Sequence, residues 1–404
     1  MSLVVQKYGG TSVGSLDRIQ NVARRIKRTR EAGHSVIAVV SAMSGETDRL
    51  LGMGKTLSQR PKDREQDVLV ASGEQVSAAL LAITLNEIGV PARSMLGFQA
   101  KIRTDESHTN ARIKSIDGEH IRAQAEREVI VIAGFQGSDE LGNITTLGRG
   151  GSDTSAVAVA AAAKADVCEI YTDVDGVYTT DPNVVPSARK IDRISYEEML
   201  ELASLGAKVL QIRSVGLAMR FGIPIHVRSS FSDAEGTLVT REDELLESVA
   251  VAGVAADKKA VKVTMRQLKD RPGVVAKVFG ALAEASVVVD MIIQNVSLEG
   301  HTDLTFTVSA DDADKAREIA RSLAKELEVA DVILDDEVVK VSIVGVGMRN
   351  HAGIAARMFG LLADEGINIE AISTSEIKTS CLIRSKYTEL ALRVLHDGFG
   401  LGQR

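Results

Sequence analysis

The sequence predicts an α/β protein in which a mostly parallel sheet with helices on both faces is followed by two ferredoxin-like βαββαβ modules. Over roughly the first 245 residues, short continuous apolar runs alternate with helical segments, as expected for strands buried on both faces. Beyond them, one pattern of strands and helix occurs twice at matched spacing. We therefore expect a larger domain at 1–245, a linker or connecting strand at 246–260, and repeats at 261–335 and 336–404.

The strands and helices of the larger domain follow from apolar periodicity and from turn residues. Helix 16–32 is the clearest, because Ile19, Val22, Ala23 and Ile26 recur on one face with Arg and Lys opposite. The other predicted helices are 74–88, 153–164 and 196–205. The predicted strands are 3–6, 35–40, 129–133, 167–171 and 223–227.

The C-terminal repeat is recognised by its spacing. Gly273 precedes Asp290 by 17 positions, and Gly353 precedes Glu370 by the same 17. Matching apolar steps surround both pairs, which indicates an internal duplication.

Composition and charge exclude several classes of protein. Lys and Arg number 48 against 55 Asp and Glu, giving a net charge of −7, so no bulk positive field attracts nucleic acid. Aromatic residues make up only 3% and Trp is absent, which disfavours a stacking platform for bases. Cys168 and Cys381 lie too far apart in sequence for a zinc motif. The sequence has no signal-peptide pattern and no run of about 18 apolar residues, so we expect a cytoplasmic protein without a membrane partner.

Polar, glycine-rich segments follow several of the predicted strands, where α/β proteins bind ligands. In 7–12, paired glycines beside Lys7 let backbone N–H groups approach an anion, although a tight turn explains them equally well. In 147–155, Arg149 between glycines offers a bidentate fork for a carboxylate at a helix start; the alternative is a capped turn. Segment 171–182 contains an Asp-x-Asp-Gly fragment but lacks the later ligands of a calcium loop, and an acidic turn is its alternative. Hydroxyls in 41–48, together with Glu74, could bind an amine and a carboxylate.

Six segments in order carry a family resemblance. They are KYGGTSV, SAMSGETD, ASGEQ, TTLGRGGSDTSAVA, YTDVDGVYTTDP and ELASLGAKVLQIRSV. The chain resembles the aspartokinases of the amino-acid kinase family, and its repeat resembles their paired ACT domains. The resemblance implies ATP-dependent phosphorylation of the β-carboxylate of L-aspartate to 4-phospho-L-aspartate, the first step toward lysine, threonine and methionine.

The resemblance also implies roles for individual residues. The catalytic residues would be Lys7, Asp153 and Lys208. ATP would contact Lys7, Tyr8, Gly9, Gly10, Ser41, Thr172, Asp173, Tyr178 and Lys208. Aspartate would contact Thr47, Glu74, Arg149, Gly150, Gly151 and Ser152, with Arg149 on its α-carboxylate and Glu74 on its ammonium. Mg²⁺ would be carried by ATP, without a metal site of the protein.

Elementary chemistry supports these roles independently. A carboxylate with a pKa near ~3.9 is already ionised at pH 7 and needs no general base to attack. The obstacle is repulsion between carboxylate and triphosphate, which lysines and Mg²⁺ reduce. This agrees with the absence of His from all six segments.

Paired ACT domains imply feedback inhibition by lysine, threonine or both, and a homo-oligomer, dimer or tetramer, joined through these domains. The effector would lie at the junction between modules. Its expected contacts are Asp270, Gly273, Val275, Val288, Val289, Asp290, Gln294, Ile354, Ala355, Asn368, Ile369, Ser375 and Glu376. The alternative is that a module serves only to dimerise.

The sequence departs from the family pattern at three places. Asn183 stands where many members have Arg after the Asp-Pro pair, Gln211-Ile212-Arg213 replaces His-Pro-Arg, and Ala352 replaces the proline of the first repeat. Two other functions stay open at this stage. One is a kinase with glutamate or N-acetylglutamate as acceptor, and the other is a non-catalytic amino-acid sensor. Retention of Lys7, Arg149, Asp153 and Lys208 argues against the sensor.

Overall fold

A computed structural model describes residues 2–206, 209–295 and 300–403. The chain forms two compact units. The first comprises Met1–Val177 and Lys190–Leu246, and the second comprises Tyr178–Arg189 and Glu247–Arg404.

The first unit is built on an eight-stranded sheet. Its strands are β1 (Leu3–Tyr8), β2 (Ser35–Val40), β3 (Ala92–Met95), β6 (Val129–Ala133), β9 (Val167–Thr172), β12 (Arg193–Ser195), β13 (Ile225–Ser229) and β14 (Thr237–Thr240). Their order is β12-β14-β13-β9-β1-β2-β6-β3, and every neighbouring pair except β13–β14 is parallel. This confirms the mostly parallel sheet predicted from the apolar runs.

A second, four-stranded sheet lies in the same unit. It consists of β4 (Arg103–Thr104), β5 (Ile113–Ser115), β7 (Gln136–Ser138) and β8 (Ile144–Thr146), in the order β5-β4-β7-β8. This sheet has no counterpart among the predicted strands, because its strands are only two or three residues long. The short strands β10 (Val177–Tyr178) and β11 (Lys190–Ile191) stand at the points where the chain leaves and re-enters the unit.

The helices of the first unit are α1 (Leu16–Glu31), α2 (Glu46–Leu57), α3 (Asp63–Glu87), α4 (Gly118–Ala125), α5 (Gly151–Ala162), α6 (Tyr196–Ser204) and α7 (Ile212–Phe221). Helix α8 (Glu244–Glu247) follows where the chain passes to the second unit. The predicted apolar face of α1 is buried, and its start is capped by the Ser15 side chain, which accepts from the Arg18 N–H.

Two helix starts differ from the prediction. Helix α3 begins at Asp63 rather than at residue 74. The predicted helix is therefore only its C-terminal half, and the N-terminal half also contributes buried residues. Helix α5 begins at Gly151, because Gly150 in the left-handed conformation (φ +70°) is its N-cap. The side chains of Ser152 and Asp153 therefore lie in the first turn instead of capping it.

Within the described residues, α3 is the one helix with the length and apolar character of a membrane span. Half of its most apolar window is buried inside the protein, and buried core helices satisfy the same criteria.

The second unit contains two four-stranded sheets. Its strands are β15 (Gly253–Asp257), β16 (Ala260–Lys269), β17 (Val289–Gln294), β18 (His301–Ser309), β19 (Asp331–Asp335), β20 (Val338–Val344), β21 (Ala371–Thr374) and β22 (Lys378–Arg384). Its helices are α9 (Val274–Glu284), α10 (Ala313–Ala324), α11 (Ile354–Asp364) and α12 (Thr388–Gly398). The sheet orders are β17-β18-β16-β19 and β15-β20-β22-β21.

The first copy has the predicted βαββαβ order, but the second copy differs in its last element. Within the described residues, nothing after α12 forms a strand, and the fourth strand of that sheet is β15. Strand β15 pairs antiparallel with β20, as β19 pairs antiparallel with β16 in the first copy. The segment predicted as a connection at 246–260 thus completes the sheet of the second copy, because an open edge beside β20 would leave backbone donors unpaired.

The segment Tyr178–Arg189 is folded into the second unit, although the sequence analysis placed it in the larger domain. The Thr179 carbonyl accepts from the Val254 N–H at 2.7 Å, and its hydroxyl lies 2.9 Å from Nε2 of the fully buried His396. Val185 is buried in the same core as Phe399. The core of the second copy therefore includes residues from the middle of the chain.

Two ion pairs join the copies in a reciprocal way. Lys262 and Lys340 occupy matching positions in the related strand sequences VKVTM and VKVSI. Lys262 of the first copy pairs with Glu370 of the second, and Lys340 of the second pairs with Asp290 of the first. Since Asp290 and Glu370 also match in the repeat, the contact has approximate two-fold symmetry.

The ion pair between Lys340 and Asp290 gives a stability prediction. The Lys340 side chain is 5% exposed and that of Asp290 is 47% exposed. Asp290→Asn leaves the buried ammonium of Lys340 without its carboxylate partner and should lower the free energy of unfolding by about 2–4 kcal/mol. Lys340→Met leaves only a half-solvated carboxylate and should change it by less than about 1 kcal/mol.

Urea denaturation of the full chain measures this difference, with Asp364→Asn at the exposed end of α11 as the control for losing one surface charge. Equal destabilisation by Asp290→Asn and Lys340→Met would contradict the asymmetry.

Candidate active site

A cavity of about 600 Å³ in the first unit collects residues from five of the six quoted sequence segments. It lies at the ends of β1 and β2, where parallel sheets bind ligands, and its volume suits a small molecule. Its lining contains predicted site residues from both the ATP and the aspartate groups. They are Lys7, Gly10, Ser41, Thr47, Glu74, Arg149, Gly150, Gly151, Ser152 and Asp153.

The charged centre of the cavity is an ion pair between β1 and α5. Nζ of Lys7 lies 2.6 Å from Oδ1 of Asp153, and both side chains are only about a tenth exposed. A Cβ at Gly9 would lie 3.3 Å from this ammonium, and one at Gly10 would lie 2.9 Å from the Ala42 carbonyl oxygen. The two glycines thus leave the lysine accessible and bring the backbone close to the neighbouring loop.

Glu74 presents one oxygen that has no hydrogen-bond partner among the described residues. Its Oε1 accepts from the Ala42 N–H at 2.9 Å, while Oε2 is buried without a hydrogen bond in the described part of the chain. A Cβ at Gly73 would lie 2.8 Å from the Ala42 Cβ, so this glycine lets α3 approach the loop closely enough for the bond. Burial raises the pKa of the Glu74 carboxyl to about 7. A buried acceptor of this kind suits a cationic ligand group.

The start of α5 forms an anion-binding corner. Gly148 and Gly150 adopt left-handed φ angles of +75° and +70°, so the chain turns sharply on either side of Arg149. Arg149 is exposed at the cavity, and no acidic partner is found for it in the ranges that the structure describes. Helix N–H groups and an unpaired guanidinium together favour a carboxylate or phosphate.

Other residues predicted to bind ATP lie outside the lining. The Tyr8 side chain is fully buried, stacks on Tyr171 at 4.9 Å and donates to Gln6, so it serves the core and only its backbone is left for a ligand. Thr172 is the last residue of β9, beside the end of β1, and its hydroxyl donates to Asp173, the next residue. Tyr178 belongs to the second unit, and Lys208 lies outside the described residues.

The predicted effector residues lie in the second unit. Gly273 and Gly353 are the left-handed N-caps of α9 and α11, with φ +91° and +87°, which agrees with the repeated turn. Asp290 pairs with Lys340, and Glu376 pairs with Arg349. The exposed members are Asp270, Gly273, Val288, Asp290, Gln294, Asn368, Ser375 and Glu376. The half-buried members are Val275, Val289, Ile354, Ala355 and Ile369.

Several polar residues of the lining were not predicted from the sequence, among them Asp67, Thr109, Thr146 and Gln211. Asp67 precedes Glu74 by seven residues on one helix, so helical periodicity places both on one face and could have found it. Thr109 carried no signal, because a loop brings it to the site. Thr146 is the second residue of the segment TTLGRGGSDTSAVA, but it lies on a short strand that was not predicted.

In the described ranges, no group of three or more His, Cys, Asp or Glu side chains is arranged to hold a metal ion. Cys168 and Cys381 are buried free thiols, and burial raises the pKa of each thiol.

Comparison with known proteins identifies the family of the chain. The model of the amino acid kinase family matches residues 2–229, and that of the ACT domain matches 261–322 and 341–399. An aspartate kinase of Pseudomonas fluorescens is 55% identical over 405 residues, covering 99% of this chain and 98% of the relative.

Two solved structures of E. coli aspartokinase III are also similar. One, in complex with aspartate and ADP in the R-state, has a TM-score of 0.80 and 28% identity, covering 98% of this chain and 99% of the other. The second, in complex with lysine and aspartate in the T-state, has a TM-score of 0.78 and 27% identity at the same coverage. The chain therefore belongs to the amino acid kinase family, as an aspartokinase with two C-terminal ACT domains.

Proposed function

We propose that the chain transfers the γ-phosphoryl group of ATP to the β-carboxylate of L-aspartate, forming 4-phospho-L-aspartate for lysine, threonine and methionine synthesis. One observation carries the proposal: a single cavity contains the buried ion pair of Lys7 with Asp153 and the unpartnered oxygen of Glu74. The relatives named aspartate kinase and the E. coli structure with aspartate and ADP support the choice of substrates.

Aspartate binds by its two α-substituents. Oε2 of Glu74 accepts from the ammonium, and this contact completes the hydrogen bonding of a buried oxygen. The guanidinium of Arg149 holds the α-carboxylate, assisted by the α5 N-terminus at Gly150 and Gly151 and by the hydroxyls of Thr47 and Ser152. The β-carboxylate is then free to point toward Lys7.

Phosphoryl transfer needs charge neutralisation and positioning more than proton transfer. Asp153 holds the ammonium of Lys7 by their ion pair, so that it meets the transferring phosphoryl group without reorganisation. The backbone at Tyr8, Gly9 and Gly10 approaches the phosphates, and Mg²⁺ arrives with the nucleotide. Lys208 is the second cation in this proposal. Ser41, Thr172, Asp173 and Tyr178 serve the nucleotide side.

Regulation is assigned to the second unit. Two ACT modules, and a related structure that contains lysine in its T-state, support inhibition by lysine, threonine or both. Tyr178, proposed on the nucleotide side, is the first residue of a segment that folds with the second unit. Assembly into a homo-oligomer through the ACT modules and a cytoplasmic location stay predictions.

Lys7→Ala tests the catalytic assignment. Loss of the ammonium that faces the transferring phosphoryl group should lower kcat by roughly 10²–10³-fold. Lys55→Ala, at an exposed position of α2, is the matched control and should keep normal turnover. The measurement is ADP release that depends on aspartate, with glutamate and N-acetylglutamate compared as acceptors. Full turnover by Lys7→Ala would refute the catalytic assignment. A preference for glutamate or N-acetylglutamate would show that aspartate is not the main acceptor.

Glu74 predicts a pH dependence of the KM for aspartate. A proton and the substrate ammonium compete for a carboxylate whose pKa is raised to about 7, so the KM should rise as the pH falls through 7. Between pH 8 and pH 6 the ionised fraction changes by about tenfold, and the KM for aspartate should change to the same extent. Glu74→Gln should remove this pH dependence, while the KM for ATP should not change with pH in either the unmodified chain or the variant. A flat profile in the unmodified chain would show that Glu74 does not bind the ammonium.

Gln294→Ala tests the effector site. Gln294 is exposed at the end of β17. Its replacement should raise the inhibitor concentration for half-inhibition several-fold, which corresponds to the free energy of one lost hydrogen bond. It is a cleaner probe than Asp290, whose replacement also breaks the ion pair with Lys340. Turnover is measured with lysine and threonine, separately and together, and Glu318→Ala on the exposed face of α10 is the control. Unchanged inhibition in the Gln294 variant would remove this residue from the site.

A further inference from the structure

We propose that Asp67 is a positioning residue for aspartate binding, which fixes the loop 105–111 against Gly148 and so sets the place of Arg149. The inference rests on the proposed function, because it assigns Arg149 to the substrate α-carboxylate. Asp67 itself is fully buried on α3 and lies in the wall of the cavity.

The carboxylate of Asp67 binds donors from two other parts of the first unit. His108 Nδ1 lies 2.8 Å away, the Thr109 N–H donates to both oxygens at 3.1 Å, and the Thr146 hydroxyl donates at 2.5 Å. An ionised carboxylate can only accept, so Nδ1 of His108 carries the hydrogen of this contact. These bonds hold α3, the loop and β8 together.

The loop conformation depends on these bonds. Thr109 has a φ of +66°, in the left-handed region that a β-branched residue rarely occupies. Such a backbone persists only where its surroundings enforce it. Both Asp67 oxygens accept from the N–H of this same residue, so the carboxylate stabilises the strained turn directly.

The loop in turn contacts the residue before Arg149. A Cβ at Gly148 would lie 3.0 Å from Oδ1 of Asn110 and 3.1 Å from the Thr109 carbonyl oxygen. Arg213 stabilises the other side of the loop by two hydrogen bonds, donating to Asn110 Oδ1 at 3.2 Å and to the Ala111 carbonyl at 3.1 Å. A displacement of Thr109 therefore reaches Gly148 directly, where the chain makes its left-handed turn into Arg149.

The oxygens of Asp67 are occupied by these donors, whereas Oε2 of Glu74, seven residues later, has none in the described ranges. The two carboxylates on one helix face thus have different tasks. Glu74 contacts the substrate, and Asp67 acts through the loop.

A double-mutant cycle of Asp67→Asn with Arg149→Ala tests the inference. Asn keeps the volume but offers one acceptor where the carboxylate offered two, so the loop should shift and the KM for aspartate should rise about 10- to 100-fold. The KM for ATP should stay within twofold. If Asp67 acts through Arg149, the double variant should be no worse than Arg149→Ala alone. The cycle is measured by turnover and, without turnover, by calorimetric binding of L-aspartate.

Asp139→Asn is the matched control, since Asp139 is a buried carboxylate at the β7–β8 turn whose side chain accepts from Asn143. It should leave the KM for aspartate unchanged. Thr146→Val removes one donor to Asp67 and should give a smaller rise of the same kind if Asp67→Asn does not fold. Additive effects, or an equal rise in the KM for ATP, would overturn the inference. Absence of aspartate turnover and binding in the unmodified chain would instead refute the proposed function.

Discussion

The contact on which the site depends is the ion pair between Lys7, at the end of β1, and Asp153, in the first turn of α5. Two opposite charges that are each about nine-tenths buried must be paired, and this pairing ties the central strand to the helix that follows the Arg149 corner. The same constraint explains the glycines around it, since side chains at Gly9 or Gly10 would crowd the ammonium or the neighbouring loop. A cation fixed in the cavity is what an anionic acceptor and a triphosphate need to approach each other.

Buried charged side chains differ in whether partners satisfy their hydrogen bonds, and this difference separates supporting residues from proposed ligand contacts. Lys340 and Asp67 are buried charges whose partners satisfy them, and they hold elements together. Glu74 is buried with half of its hydrogen bonding unmet, and the raised pKa of its carboxyl reflects that cost. A buried acceptor in this state suits a site that binds a cationic group. Satisfaction of hydrogen bonds, rather than burial, is therefore the difference between Glu74, the proposed substrate contact, and Asp67, the supporting carboxylate on the same helix.

The sequence predicted the parallel sheet and most of the cavity, because both depend on local signals. Buried strands are continuous apolar runs, and loops that follow parallel strands meet at one edge, so motifs far apart in sequence could be placed together. Features that depend on non-local partners were not predicted. The Tyr8 side chain turned out to stack on Tyr171 in the core, and β15 was found to complete the sheet of the second copy. Neither can be read from the segment itself, since each is decided by what lies beside it in space.

The path of the chain between the two units bears on how regulation reaches the proposed nucleotide residues. The chain passes between the two units at three points: after Val177, after Arg189 and after Leu246. The first two enclose a segment whose backbone and side chains are anchored in the second unit, by Val254 on the Thr179 carbonyl and by the buried His396 on its hydroxyl. An effector that changes the packing of the ACT modules acts on the same core that holds this segment. The segment begins with Tyr178 and follows β9 by only a few residues, so the chain continues directly from a strand end that the nucleotide is proposed to approach into the core of the second unit. Part of the proposed nucleotide loop thus belongs to the same compact unit as the two ACT modules.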